Sequence, residues 1–210
     1  MSILNRLASP QNRRDEVPNQ ELARDLVASK DKNGIREVAE NLWNKDKNIQ
    51  ADCIKVLYEV GYLEPKLIAE YAEDFLRLLK SKNNRLVWGG MIALAEVAKA
   101  NPDAIFKNLD AIKKAKETGS VITIDNAISA LALTASANPK YNKDIFPYLL
   151  SHLSSCRPKE VPQHAERTFP AVNASNKSEF VKLLEKRMED VSGGGLARVK
   201  KLIKQTIAIA

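Results

Sequence analysis

At 210 residues, with 44% hydrophobic and 28% charged side chains, the chain can bury a sizeable core as one domain or two small ones, with the balance of an ordinary soluble protein. Eight glycines and nine prolines leave little room for a strand-rich fold full of turns, and no apolar run approaches the roughly 20 residues a spanning helix needs. The net charge of +7 is local: residues 1–138 are nearly balanced, whereas residues 139–210 carry thirteen basic and seven acidic groups. Such a basic surface either attracts nucleic acid, anionic lipid or acidic protein, or only keeps the chain soluble. The opening Met1-Ser2-Ile3-Leu4-Asn5-Arg6 lacks the basic-then-apolar order of a secretory signal, and Cys53 and Cys156 are too few for a disulfide framework. A cytoplasmic protein with reduced thiols and no membrane association is the expectation.

In chain order, residues 1–18 read as an N-terminal arm and residues 19–210 as one continuous helical domain. A short helix is expected over 20–29. Ile35, Val38, Leu42 and Trp43 then form the apolar stripe of a second helix, with Trp43 in the core. Beyond it the sequence repeats. Pro65, Pro102 and Pro139 are spaced by 37 residues, and the last two follow asparagines. Asparagine caps helices well and proline is tolerated at the first helical position, so Asn101-Pro102 and Asn138-Pro139 mark helix starts.

The helix before each proline keeps the same register. Its core positions are Cys53, Val56, Leu57 and Val60; then Gly90, Ala93, Leu94 and Val97; then Ala127, Ala130, Leu131 and Thr134. A second helix follows each proline, over 66–80, 103–116 and 142–153, the last displaced by a longer turn around Lys140. Residues 161–171 hold the place of the next first-type helix. Asn176 and Glu179 have capping-box spacing for a helix over 177–190. Gly193, Gly194 and Gly195 would end it, before an amphipathic helix over 196–207 with Leu196, Val199, Leu202, Ile203 and Ile207 on its apolar side.

These paired helices resemble HEAT repeats, most clearly in Asn84-Arg85-Leu86-Val87-Trp88-Gly89-Gly90-Met91-Ile92-Ala93-Leu94 and in residues 120–131. The resemblance implies an all-α fold: an α-α superhelix of about five HEAT-like helix pairs in a single curved, armadillo-like domain. It also implies that the first-type helices line a concave surface. The chain departs from the pattern at Gly89-Gly90, two glycines inside a helix, each costing about 1 kcal/mol relative to alanine.

If the apolar stripes face inward, the exposed concave ladder offers Asp52, Lys55, Arg85, Trp88, Asp125, Asn126, Gln163 and His164 as binding residues. A tryptophan beside an arginine and an aspartate can stack a base and hold phosphate. Alkylpurine DNA glycosylases built from HEAT-like repeats combine such residues, but their motif finds no residue-by-residue match here. Trp88 could equally fill space above the glycines, with Asp125 capping or pairing locally.

His152 and Cys156, four apart, put two metal ligands on one helix face, short of the three or four that zinc takes, so no metal and no cofactor is expected. Phosphate-loop, dinucleotide, zincin and EF-hand motifs are missing, and Cys53 sits at a repeat core position as an inert thiol. The reading is therefore a non-catalytic interaction scaffold binding a protein or peptide along the concave face. The alternative is a DNA-binding protein, with an alkylpurine DNA glycosylase-like base-repair enzyme as its catalytic form. A lyase or chaperone for a protein-bound cofactor also occurs on such scaffolds but has no motif here, and the oligomeric state is open.

Overall fold

The computed structural model describes residues 2–209; Met1 and Ala210, the outer ends of the expected arm and domain, lie outside the described residues. Among those residues every regular element is helical, with twelve α-helices, several 3-10 turns and no strand. The helices are α1 Val17–Ser29, α2 Lys32–Glu40, α3 Lys47–Leu63, α4 Ala72–Leu78, α5 Asn84–Val97, α6 Pro102–Lys107, α7 Leu109–Thr118, α8 Val121–Ala137, α9 Pro139–Ser155, α10 Val161–Thr168, α11 Lys177–Arg187 and α12 Gly193–Ile207. Packing divides the chain into two compact units, Met1–Ala130 and Leu131–Ala210, with the boundary inside α8.

Short polar side chains start several of the helices, because they satisfy backbone N–H groups that a first turn leaves orphaned. Asp31, Asp46, Asn83, Asn101 and Asn138 each accept from a backbone N–H of the helix that follows. Pro102 and Pro139 occupy first helical positions as their asparagine partners imply. The longer turn expected around Lys140 does not form: extended Asn138 caps Lys140 directly, and α9 runs unbroken from Pro139.

The other two second-type helices are interrupted. Residues 66–80 give two 3-10 turns, Pro65–Leu67 and Ala69–Tyr71, before α4 begins at Ala72. The chain leaves helical geometry at Ile68, where the side chain is fully buried. Residues 103–116 divide into α6 and α7 at Asn108, whose side-chain amide donates to the Ala104 carbonyl at 2.9 Å. An asparagine bonding four residues back in this way competes with the backbone ladder.

In the first unit α3 packs against α1, α2 and α5, and α4 lies against α5. The repeated core positions are met there and beyond: Leu57, Leu94 and Leu131 are all fully buried, as are Cys53, Val56, Val60, Ala93, Val97, Ala127 and Ala130. The paired glycines of α5 serve this packing. A Cβ at Gly89 would stand 2.7 Å from Ile54 Cγ1, and one at Gly90 would stand 3.1 Å from both Leu78 Cβ and the Phe75 carbonyl. Two neighbours therefore approach the α5 backbone at successive residues. Trp43 is not core: it is 43% exposed, because α2 ends at Glu40 and the 3-10 turn Asn41–Trp43 carries it off the stripe of Ile35, Val38 and Leu42. Its ring takes the Arg77 guanidinium 4.1 Å from the centroid, a cation–π contact.

In the second unit α12 packs on α10 and α11 through Val199, Leu202 and Ile203. Ile207, counted on that stripe, is exposed in the last turn. Arg198 of α12 pairs with Glu166 of α10 at 2.5 Å. The capping box at Asn176 does not form. Its amide donates instead to Asn142 Oδ1 at 3.0 Å and to the Ala171 carbonyl at 3.1 Å, so the side chain ties elements together and caps none. The three glycines open α12 and do not close α11, which gives way to the 3-10 turn Met188–Asp190. Gly193 makes that start with φ +57°, a value glycine adopts without a Cβ penalty.

Candidate interaction groove

A groove of about 660 Å³ opens in the first unit between the N-terminal segment, α1, α3 and α5. Asp52, Lys55, Arg85 and Trp88 all line it, together with Ser9, Arg13, Arg14, Asp15, Glu16 and Asn19. The sequence pattern on α3 and α5 brought the first four into view. The others come from a segment without repeat character, whose only signal was the charge run Arg13-Arg14-Asp15-Glu16.

That segment is docked. Leu7 and Ala8 are buried, and the Ala8 N–H donates to Asn19 Oδ1 at 3.0 Å. A tight turn with Asn12 at φ 56°, closed by Arg13 N–H to the Ala8 carbonyl at 2.9 Å, carries Arg13 and Arg14 to the groove. The segment consumes Asp52, which accepts from the Ser9 N–H at 2.8 Å, from the Ser9 hydroxyl and from Asn19 Nδ2 at 2.8 Å. Lys55 is also occupied, at 2.7 Å from Glu16 and 2.8 Å from Glu59. Burial works to lower the Lys55 pKa, but the hydrogen bonds to Glu16 and Glu59 outweigh it and hold the ammonium above the usual lysine range. Its Nζ also lies 4.9 Å from the Tyr58 ring centroid, and burial pushes the Tyr58 phenol up to about 12 against the opposing pull of Lys55.

Arg13 is committed to Asp15, whose carboxyl this hydrogen bond holds below the usual range. Arg14 and Arg85, both exposed, form no ion pair among the described residues. Half-buried Trp88 lines the same groove, with its ring centroid 6.1 Å from that of Tyr58 on α3.

The other four expected site residues do not line this groove. Asp125 and Asn126 are half-buried on α8, where the Asn126 amide donates to the Ile122 carbonyl at 2.9 Å. Gln163 is half-buried on α10 in the second unit. Its neighbour His164 is only 1% exposed, and its Nδ1 lies 2.9 Å from His152 Nε2. His164 therefore faces His152 of α9. Among the described residues no helix is long and apolar enough to cross a membrane.

The fold is an all-helical repeat fold of the HEAT/armadillo type. Solved structures carry the likeness. An engineered protein aligns over 99% of this chain and 98% of its own at 19% identity with a TM-score of 0.66. The designed armadillo repeat protein YIII(Dq)4CqI aligns over 97% of this chain and 99% of its own at 13% identity, TM-score 0.65. The designed armadillo repeat protein YIII(Dq.V1)4CPAF, solved in complex with the peptide (KR)4, aligns over 90% of this chain and 85% of its own at 13% identity, TM-score 0.67. No protein-family model and no curated protein matches the chain.

Proposed function

We propose that this chain is a non-catalytic interaction scaffold that holds a stretch of polypeptide in the groove beside Trp88. One observation carries the reading: Trp88 stands with two uncommitted guanidinium groups, Arg14 and Arg85, in a cleft whose other charged groups are ion-paired or hydrogen-bonded within the chain. Tryptophan and arginine are the residues on which binding energy concentrates at protein interfaces, because they combine large rigid area with directed hydrogen bonding. The partner that fits is an extended segment presenting a carboxylate to the arginines and an apolar side chain to the indole. Peptide binding by a designed protein of the same fold supports this use of the scaffold.

Duplex DNA is the less favoured partner, since Asp15, Glu16 and Asp52 interrupt any basic track along the groove and would meet phosphates. Selection from a displayed peptide library, followed by titration of the winners, tests the reading. Acidic, aromatic- or aliphatic-containing peptides should be enriched, and Trp88→Ala and Arg85→Ala should each weaken them by about tenfold or more with unchanged circular dichroism. A library yielding nothing sensitive to both variants overturns it. So does tight duplex-DNA binding lost in the same variants.

A further inference from the structure

We propose that His152, Cys156 and His164 form a zinc-binding site in the second unit, fastening the C-terminal turn of α9 to α10. His152 and Cys156 stand one helical turn apart, and the turn is closed by the Cys156 N–H donating to the His152 carbonyl at 2.9 Å, so both side chains share a face. The chain then reverses through the 3-10 turn Pro158–Glu160 into α10, which delivers His164 to the same point. The three ligand atoms lie within 4.8 Å of one another, and the two imidazole nitrogens are 2.9 Å apart. Around tetrahedral zinc, with bonds near 2.0–2.1 Å to nitrogen and about 2.3 Å to sulfur, ligand atoms sit roughly 3.3–3.6 Å apart. Small side-chain rotations cover the difference.

The donor set suits zinc: two borderline imidazoles and one thiolate leave a fourth position for water or an incoming ligand. Binding moves protons in a defined way. The hydrogen shared between His152 Nε2 and His164 Nδ1 shifts to a distal ring nitrogen, which frees both lone pairs, and the Cys156 thiol releases its proton to solvent. Burial works against that release, while the nearby Arg187 guanidinium favours the thiolate. Arg187 is itself held by the Leu153 carbonyl at 2.6 Å, the Cys156 carbonyl at 2.8 Å and Asp190 at 2.9 Å, so the cation clamps the loop carrying the cysteine. Glu160 adds negative charge near His164 but remains paired with Arg157. His164 is buried, whereas His152 and Cys156 are half-buried, which leaves an entry path on one side.

The test uses the full chain free of tag histidines, first stripped of metal and then titrated with zinc and with cobalt(II) as a spectroscopic probe. Zinc should bind at one equivalent and raise the melting temperature. Cobalt should give a thiolate-to-metal charge-transfer band that Cys156→Ser abolishes and Cys53→Ser retains. His152→Gln, a change at a half-buried position, should weaken zinc by about tenfold or more while leaving the metal-free fold intact. No zinc binding, or a charge-transfer band that persists in Cys156→Ser, overturns the site.

Discussion

Gly89 of α5 and Lys55 of α3 show how single residues of these helices are fixed by apolar and by polar contacts. Gly89 is compatible with its helix only because something outweighs its conformational entropy, and that is the approach of Ile54, 2.7 Å from where a Cβ would be. Ile54 is itself 1% exposed and branched at Cβ, so it has little room to yield. Gly89→Ala therefore gains about 1 kcal/mol of helix propensity but loses more to overpacking, for a net destabilisation of about 1–2 kcal/mol. Urea denaturation measures this; a variant as stable as the parent would mean that α3 and α5 do not pack at this distance. Lys55, one residue along α3 from Ile54, shows the polar counterpart: a position read as an exposed binding residue is fastened to Glu16 and Glu59.

Among the elements, α12 illustrates how a terminal helix is held. Val199, Leu202 and Ile203 bury its apolar side, and Arg198 bonds Glu166 of α10 through two nitrogens at 2.9 and 2.5 Å. This hydrogen-bonded pair holds the Glu166 carboxyl below the usual glutamate range, against a smaller upward pull from burial. A depressed folded value means that the pair contributes stability above the ordinary glutamate pKa and loses it as pH falls through the folded value. Both side chains are nearly half exposed, so solvent screening limits the contribution to at most about 1 kcal/mol. Glu166→Gln should lower the urea midpoint at pH 7, and the gap from the parent should close as the pH falls from about 5 to about 3. A gap that stays constant or widens in acid would show that the glutamate acts by packing and not by charge.

For the molecule as a whole the question is what the positive charge excess does. It is concentrated in residues 139–210, and Lys200, Lys201 and Lys204 are exposed on α12 while the apolar side of that helix is buried. The groove proposed for peptide is in the first unit and draws its charges from residues 13–85. Replacing the three lysines by glutamine should therefore leave stability within about 0.5 kcal/mol of the parent, as expected for surface changes. Peptide affinity should also be unchanged. If the triple variant instead loses a high-affinity, salt-dependent association with duplex DNA, the basic end is a nucleic-acid surface and not a solubilising one.

Much of the architecture was legible in residue order. The 37-residue recurrence of prolines and leucines identified the first-type helices and the buried Leu57, Leu94 and Leu131, and the asparagine caps identified the starts at Pro102 and Pro139 of the helices that follow, because helical periodicity and capping are set by residues only a few positions apart. The same pattern put Arg85 and Trp88 forward as concave-face binding residues, and both line the groove of the first unit. Tertiary structure decided what local order cannot encode. Asp52 is satisfied by Ser9, 43 residues earlier, and by Asn19, 33 residues earlier. His164 lies against His152 only because the chain reverses between α9 and α10. Trp43 left the core through a single 3-10 turn. In each case the outcome depends on which surfaces meet through space, where ion pairs, ligand distances and burial are set by packing and not by sequence spacing.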